Sequence, residues 1–144
     1  SVYFTGTVRS FSEEVRMLLH DRIHAVLESL ATSYEVSVDI EYIFHLPPVY
    51  NEKPLADIVR QAVEESLGRE AIYDPIPSTG GEDFALFMKE VPGFFVWLGV
   101  GNEEKGITQI WHNPSFDIDE EALLPGAIAM ASIATTFLSK GGTR

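Results

Sequence analysis

Four histidines, 22 acidic residues and no cysteine set the chemistry open to this 144-residue chain. With no thiol there is no disulfide, no cysteine nucleophile and no thiolate zinc site, so a metal ion could be held only by His, Asp or Glu. His112 is the histidine whose setting suits chemistry best. It stands in Trp111-His112-Asn113-Pro114-Ser115-Phe116, a short loop between an apolar run and a final helix, and such loops carry the ligand sites of open α/β sheets. Pro114 restricts the loop, and a rigid imidazole suits a metal ligand because its geometry is set before the ion arrives. A structural histidine is the other reading, and the one that spacing alone favours.

Three other groups compete with it. His20-Asp21-Arg22-Ile23-His24 sets two imidazoles one helical turn apart, superficially like the zinc-protease pattern in which a Glu follows the first His. Asp21 is one methylene shorter than that Glu, and the pair reads as a solvated helix face. His45 lies beside Pro47-Pro48 and reads as a surface residue at a strand end. In Gly80-Gly81-Glu82-Asp83, two glycines before a helix let backbone N–H groups approach an anion or oxyanion, although a helix entry capped by Asp83 has the same sequence.

The elements that must position these residues follow from periodicity. Val2, Phe4, Gly6 and Val8 alternate with Tyr3, Thr5, Thr7 and Arg9, and Val36, Val38, Ile40, Tyr42 and Phe44 alternate likewise, as strands do. Between them Ser10 and Glu13 have capping-box spacing, and Val15 to Leu30 repeat at helical intervals to about Ser33. Pro47-Pro48 can continue neither a ladder nor a helix, which sets a boundary between residues 1–46 and 47–144. Beyond it, Leu55 to Leu67 form a helix closed by Gly68, Ala71-Ile72-Tyr73 a short strand, and Phe84 to Met88 a helix. Phe94 to Val100 has the pattern of a strand buried on both faces, with parallel neighbours. Asp117, Asp119, Glu120 and Glu121 lead the last helix, and Ala122 to Leu138, rich in small residues, reads as a buried helix rather than a membrane span. The fold class is therefore α/β.

Composition narrows the partners. A hydrophobic share of 45% describes a globular chain, and a net charge of −12 with scattered cations disfavours nucleic acid and anionic membrane surfaces. No cationic start followed by an apolar stretch is visible, and the expected location is cytoplasmic.

Gly6-Thr7-Val8-Arg9-Ser10-Phe11, Pro47-Pro48-Val49 with Asn51, Gly80-Gly81-Glu82-Asp83-Phe84, Val91-Pro92-Gly93, Leu98-Gly99 with Gly101-Asn102, and His112-Asn113-Pro114-Ser115-Phe116-Asp117 occur in this order. Together the series resembles the C-terminal part of the two-metal aminoacylase and carboxypeptidase family of hydrolases. The nearest branch is the amidohydrolases of N-acyl amino acids, such as hippurate and auxin-conjugate hydrolases. The resemblance implies that residues 1–46 are the second half of a βαββαβ lid, a ferredoxin-like dimerisation domain, and that 47–144 are the C-terminal part of the catalytic α/β domain. It implies a pair of divalent ions (Zn, Mn, Co or Ni) in the complete enzyme, with His112 as one metal ligand. Arg9 would clamp the carboxylate of an N-acyl amino acid or small peptide, and Gly80 and Gly81 would line the substrate pocket. The general base and the other ligands would lie upstream, leaving the chain inactive alone. Association through the lid, as a homo-oligomer or with the missing N-terminal portion, is the expected partnership. The competing reading is a noncatalytic acidic association module with a structural loop histidine.

Overall fold

In a computed structural model, which describes residues 1–142, the ordered elements are four α-helices joined by long irregular segments. They are α1 (Glu13–Ser33), α2 (Lys53–Leu67), α3 (Phe84–Glu90) and α4 (Leu123–Ser139), with short 3₁₀ turns at Arg69–Ala71 and Glu120–Ala122. The chain divides into two compact units. One comprises Ser1–Tyr50 and Ile76–Gly93; the other comprises Asn51–Pro75 and the chain from Phe94 onward.

In the first unit, α1 begins two residues later than the capping-box spacing suggests. Ser12 is the N-cap, its side chain accepting from Val15 N at 3.2 Å, while the Ser10 hydroxyl donates to Ser12 O at 3.2 Å. The helix ends where expected, in a left-handed turn: Val36 N donates to Ala31 O at 3.0 Å and Glu35 N to Thr32 O at 3.4 Å, with Glu35 at φ 52°. Glycine is the usual residue at that position. The more covered side of α1 runs through Arg16, Leu19, His20, Ile23, His24, Leu27 and Ala31. His20 stands edge-on to Tyr42 at 4.8 Å, and Arg16 lies over the Phe44 ring at 4.8 Å. His20 and His24 are thus not a solvated face. They pack on aromatic rings, because an imidazole offers an apolar edge as well as polar nitrogens.

In the second unit, α2 and α4 pack against each other. Leu55, Val59 and Ala62, one face of α2 at intervals of four and three, are buried. Gly68, at φ 91° and ψ 159°, ends α2 as expected, in backbone that a β-carbon would not tolerate. The last helix differs from expectation. A 3₁₀ turn precedes it, and α4 has no buried residue: one side is half-covered on α2, while Leu124, Met130 and Leu138 are exposed. By length and composition Glu120–Ser139 could cross a membrane.

The largest departure concerns the strands. None of the expected ones, at residues 1–9, 36–45, 71–73 and 94–100, forms a ladder among the described residues, and Ala71 belongs to a 3₁₀ turn. The only paired backbone of sheet type described is the isolated bridge between Asn102 and Ile107. The α/β expectation is met in its helices and not in its strands. A helix bonds within itself, whereas a strand requires a neighbour for every N–H and C=O. Apolar side chains stay uncovered for the same reason: Val2, Tyr3, Phe4, Val36, Ile43, Val96 and Trp97 are all exposed. The accessible surface is 11665 Å², against about 7400 Å² for a folded monomer of this mass.

Candidate functional site

Arg9 and Gly81 are brought together. A β-carbon placed on Gly81 would stand 2.8 Å from Arg9 Nη1 and 3.4 Å from Leu46 Cδ1. The guanidinium therefore lies directly over the glycine backbone, an approach that the missing side chain permits. Gly80 is adjacent, its N–H donating to the Ser78 hydroxyl at 3.1 Å. Arg9 is itself exposed and α3 follows the glycines, so one planar, permanently charged donor fork stands beside a bend of bare backbone. Such a pairing can grip a carboxylate bidentately. Asp83 does not cap α3: Glu82 Oε1 accepts from Phe84 N at 3.2 Å instead. Ser78 and Leu46 complete this corner. The Ser-Thr-Gly turn that introduces Ser78 is the signal that could have found it.

His112, in the other unit, is held by its backbone. It has φ 68°, one of two non-glycine residues in the left-handed region among those described. Asparagine, aspartate and histidine enter that region more readily than other side chains, at a cost in strain. The turn around it is tied by Asn113, whose Oδ1 accepts from Ser115 N at 2.8 Å and whose Nδ2 donates to Gln109 Oε1 at 3.0 Å. Phe116 N closes the turn on Asn113 O at 2.9 Å. Trp111 stacks on Trp97 with ring centroids 5.0 Å apart and planes at 15°, fixing the residue before His112. Asn113 and Gln109 are contributors that periodicity did not single out; Asn followed by Pro-Ser is the turn signal that marks the first of them.

Two further arrangements stabilise the second unit's loops. The Asn51 side chain donates from Nδ2 to Phe95 O at 2.9 Å and accepts from Phe95 N at 2.8 Å, pairing with the expected strand as a ladder neighbour would. Lys105 Nζ bonds Asp119 Oδ1 at 2.8 Å and Glu121 Oε1 at 2.9 Å, while Asn102 Nδ2 bonds Asp119 Oδ2 at 2.6 Å. The hydrogen bonds from Lys105 and then Asn102 hold the Asp119 carboxyl below the usual range, and those to Asp119 and Glu121 push Lys105 upward.

Among the described residues, no three or more His, Asp or Glu side chains stand close enough to hold a metal ion. A resident catalytic ion normally takes about three protein ligands, and the described side chains do not bring three such donors together.

Comparison with known proteins gives these groups a context. The sequence profile described as peptidase family M20/M25/M40 matches residues 5–136. N-acetylcysteine deacetylase of Bacillus subtilis (strain 168) is 35% identical over 133 residues, 92% of this chain and 33% of that protein. IAA-amino acid hydrolase ILR1-like 4 of Arabidopsis thaliana is 32% identical over 142 residues, covering 96% of this chain and 32% of its own length. Thermostable carboxypeptidase 2 of Saccharolobus solfataricus (strain ATCC 35092 / DSM 1617 / JCM 11322 / P2) is 28% identical over 135 residues, 94% of this chain and 34% of that protein. The chain spans about a third of the length of these relatives.

Proposed function

The chain belongs to peptidase family M20/M25/M40, and from that premise we propose that it works as the C-terminal portion of a metal-dependent amidohydrolase cleaving N-acyl amino acids or small peptides. The observation that carries this reading is the Arg9 guanidinium over Gly81. A cation beside bare backbone suits the free carboxylate that distinguishes an N-acyl amino acid from a simple amide. Relatives named as an N-acetylcysteine deacetylase, an IAA-amino acid hydrolase and a carboxypeptidase support a hydrolase reading. The family generally depends on divalent metal. In this proposal His112, presented by a strained and tied turn, donates one nitrogen to that metal, and the remaining donors and the general base come from an upstream metal-binding domain. The isolated chain then turns over no N-acyl amino acid. Unladdered segments at 1–9, 36–45 and 94–100 support association with further strands, from a second copy or from the rest of the enzyme.

Steady-state kinetics in a polypeptide that joins this chain to such an upstream domain test the assignment. Arg9→Ala is expected to lower kcat/KM for a substrate with a free carboxylate by about 2–4 kcal/mol in transition-state terms, to leave metal content unchanged, and to erase most of the preference over the amidated substrate. His112→Ala is expected to lower metal content and activity together, with partial recovery in excess metal. Full retention of the carboxylate preference in Arg9→Ala would remove the clamp from the proposal.

A further inference from the structure

One turn of α1 carries a pair of imidazoles that the proposed hydrolysis does not use. His20 and His24 have ring centroids 4.4 Å apart, with planes at 41°. Two imidazoles bound side by side to one ion at nitrogen distances of about 2.0–2.1 Å place their centroids roughly 4.5–5.5 Å apart, so the ring separation observed is close to that of a chelate. His20 Nδ1 lies 2.9 Å from Asp21 Oδ1. An N–H donated to that carboxylate leaves His20 Nε2 with the lone pair, which is how carboxylates orient and strengthen metal-binding imidazoles. His24 Nε2 is buried without any hydrogen-bond partner. A buried polar nitrogen left unpaired is costly, and an ion is a partner that would satisfy it.

The surroundings fix both rings. Tyr42 stands 4.8 Å from His20 and 6.2 Å from His24, and Phe44 lies 5.3 Å from His20. Arg16, one turn before His20 on the same side of the helix, is engaged over Phe44 and with Glu13 at 3.1 Å. The His20 side chain keeps 28% of its surface exposed, which leaves a route from solvent.

We propose that His20 and His24 form a two-imidazole binding site for an exchangeable late first-row divalent ion, such as Zn²⁺, Ni²⁺ or Cu²⁺. Nitrogen donors select these ions over Mg²⁺ and Ca²⁺, which take oxygen. Two protein donors leave the other positions to water, so the ion comes and goes. The site uses neither Arg9 nor His112, and its success or failure leaves the proposed hydrolase reading where it stands.

Titration of the full chain with Ni²⁺ alone tests it, followed by calorimetry and by imidazole nitrogen resonances. The expected result is one saturable equivalent that shifts His20 and His24 together and raises the melting temperature, since an ion bridging one helical turn binds only the folded helix. His24→Gln and His20→Gln should each weaken binding about 10–100-fold, and Asp21→Asn should weaken it less. His112→Gln should leave it unchanged. The helical circular dichroism of each variant reports that α1 is still formed; the His20 variant, at the more exposed ring, carries the test if His24→Gln loses helix. Absence of saturable binding up to about 1 mM Ni²⁺, or equal affinity in the His20 variant, would overturn the site.

Discussion

Helices α1 and α2 make an instructive pair. The first has 21 residues, a side-chain N-cap and an apolar repeat running its whole length, yet it buries no residue. The second has 15 residues and no side-chain cap, yet it buries Leu55, Val59 and Ala62. The difference is the partner. A face of α4 is available to α2, whereas the Val15, Leu18, Val26 and Leu30 side of α1 meets solvent. Amphipathic pattern tells a helix which side to bury; only another element supplies the burial.

That contrast is broken or sharpened first by charge insertion. Val59→Asp, at a position 9% exposed, is expected to destabilise the chain by about 3 kcal/mol, because the carboxylate must be desolvated against α4. Leu18→Asp, at a position 52% exposed, should change stability by less than about 0.5 kcal/mol. Urea unfolding of the two variants decides the matter. Equal losses would mean that α1 is covered as well as α2 in solution.

The same contrast explains what could be read from sequence. The end of α1 near Ser33, the stop of α2 at Gly68 and the helix following Gly80-Gly81 were legible because each depends on neighbours within a turn or two of the chain. The strands were legible as patterns only: Val36 to Phe44 alternates as a strand does, but its ladder bonds belong to a neighbour outside the segment. The site divides similarly. Arg9 is singled out by family motif and Gly81 already by its place in a Gly-Gly turn before a helix; the two are far apart in sequence, and their meeting is a tertiary fact. His112 was singled out by its loop, while its left-handed backbone and the Asn113 ties that hold it emerged only in three dimensions. His20 and His24 were misread because their partners Tyr42 and Phe44 lie beyond the helix.

Backbone strain gives a second, smaller test of the two regions. Glu35 in the first unit and His112 in the second share the left-handed conformation, at φ 52° and 68°. Glycine enters it without the clash of a β-carbon, so Glu35→Gly and His112→Gly are each expected to stabilise by about 0.5–1 kcal/mol. The two should then part company in the longer hydrolase proposed above. Glu35→Gly is expected to leave its catalysis intact, since that residue ends a helix, whereas His112→Gly is expected to trade activity for stability, as the proposed ligand role requires. Melting temperatures and specific activities measured side by side check this, and loss of stability on His112→Gly would place the strain elsewhere.

The smallest effect belongs to the polar cluster before α4. Asp119 has a depressed pKa, chiefly through the hydrogen bond from Lys105 and next through that from Asn102; its contribution is present above the unfolded carboxylate pKa and is lost as pH falls through the folded value. Lys105 has a raised pKa, chiefly through Asp119 and next through Glu121; its contribution is present below the unfolded lysine pKa and is lost as pH rises through the folded value. Both effects are weakened by water, since the Lys105 side chain is 44% exposed. Lys105→Met removes the shared bond while keeping the length of the side chain. The urea midpoint of the parent should therefore exceed that of the variant by a nearly constant margin between the two windows, and the margin should shrink below the ordinary carboxylate range and again above the ordinary lysine range. A margin unchanged through both windows would mean that Lys105 acts by packing its methylenes rather than by holding Asp119.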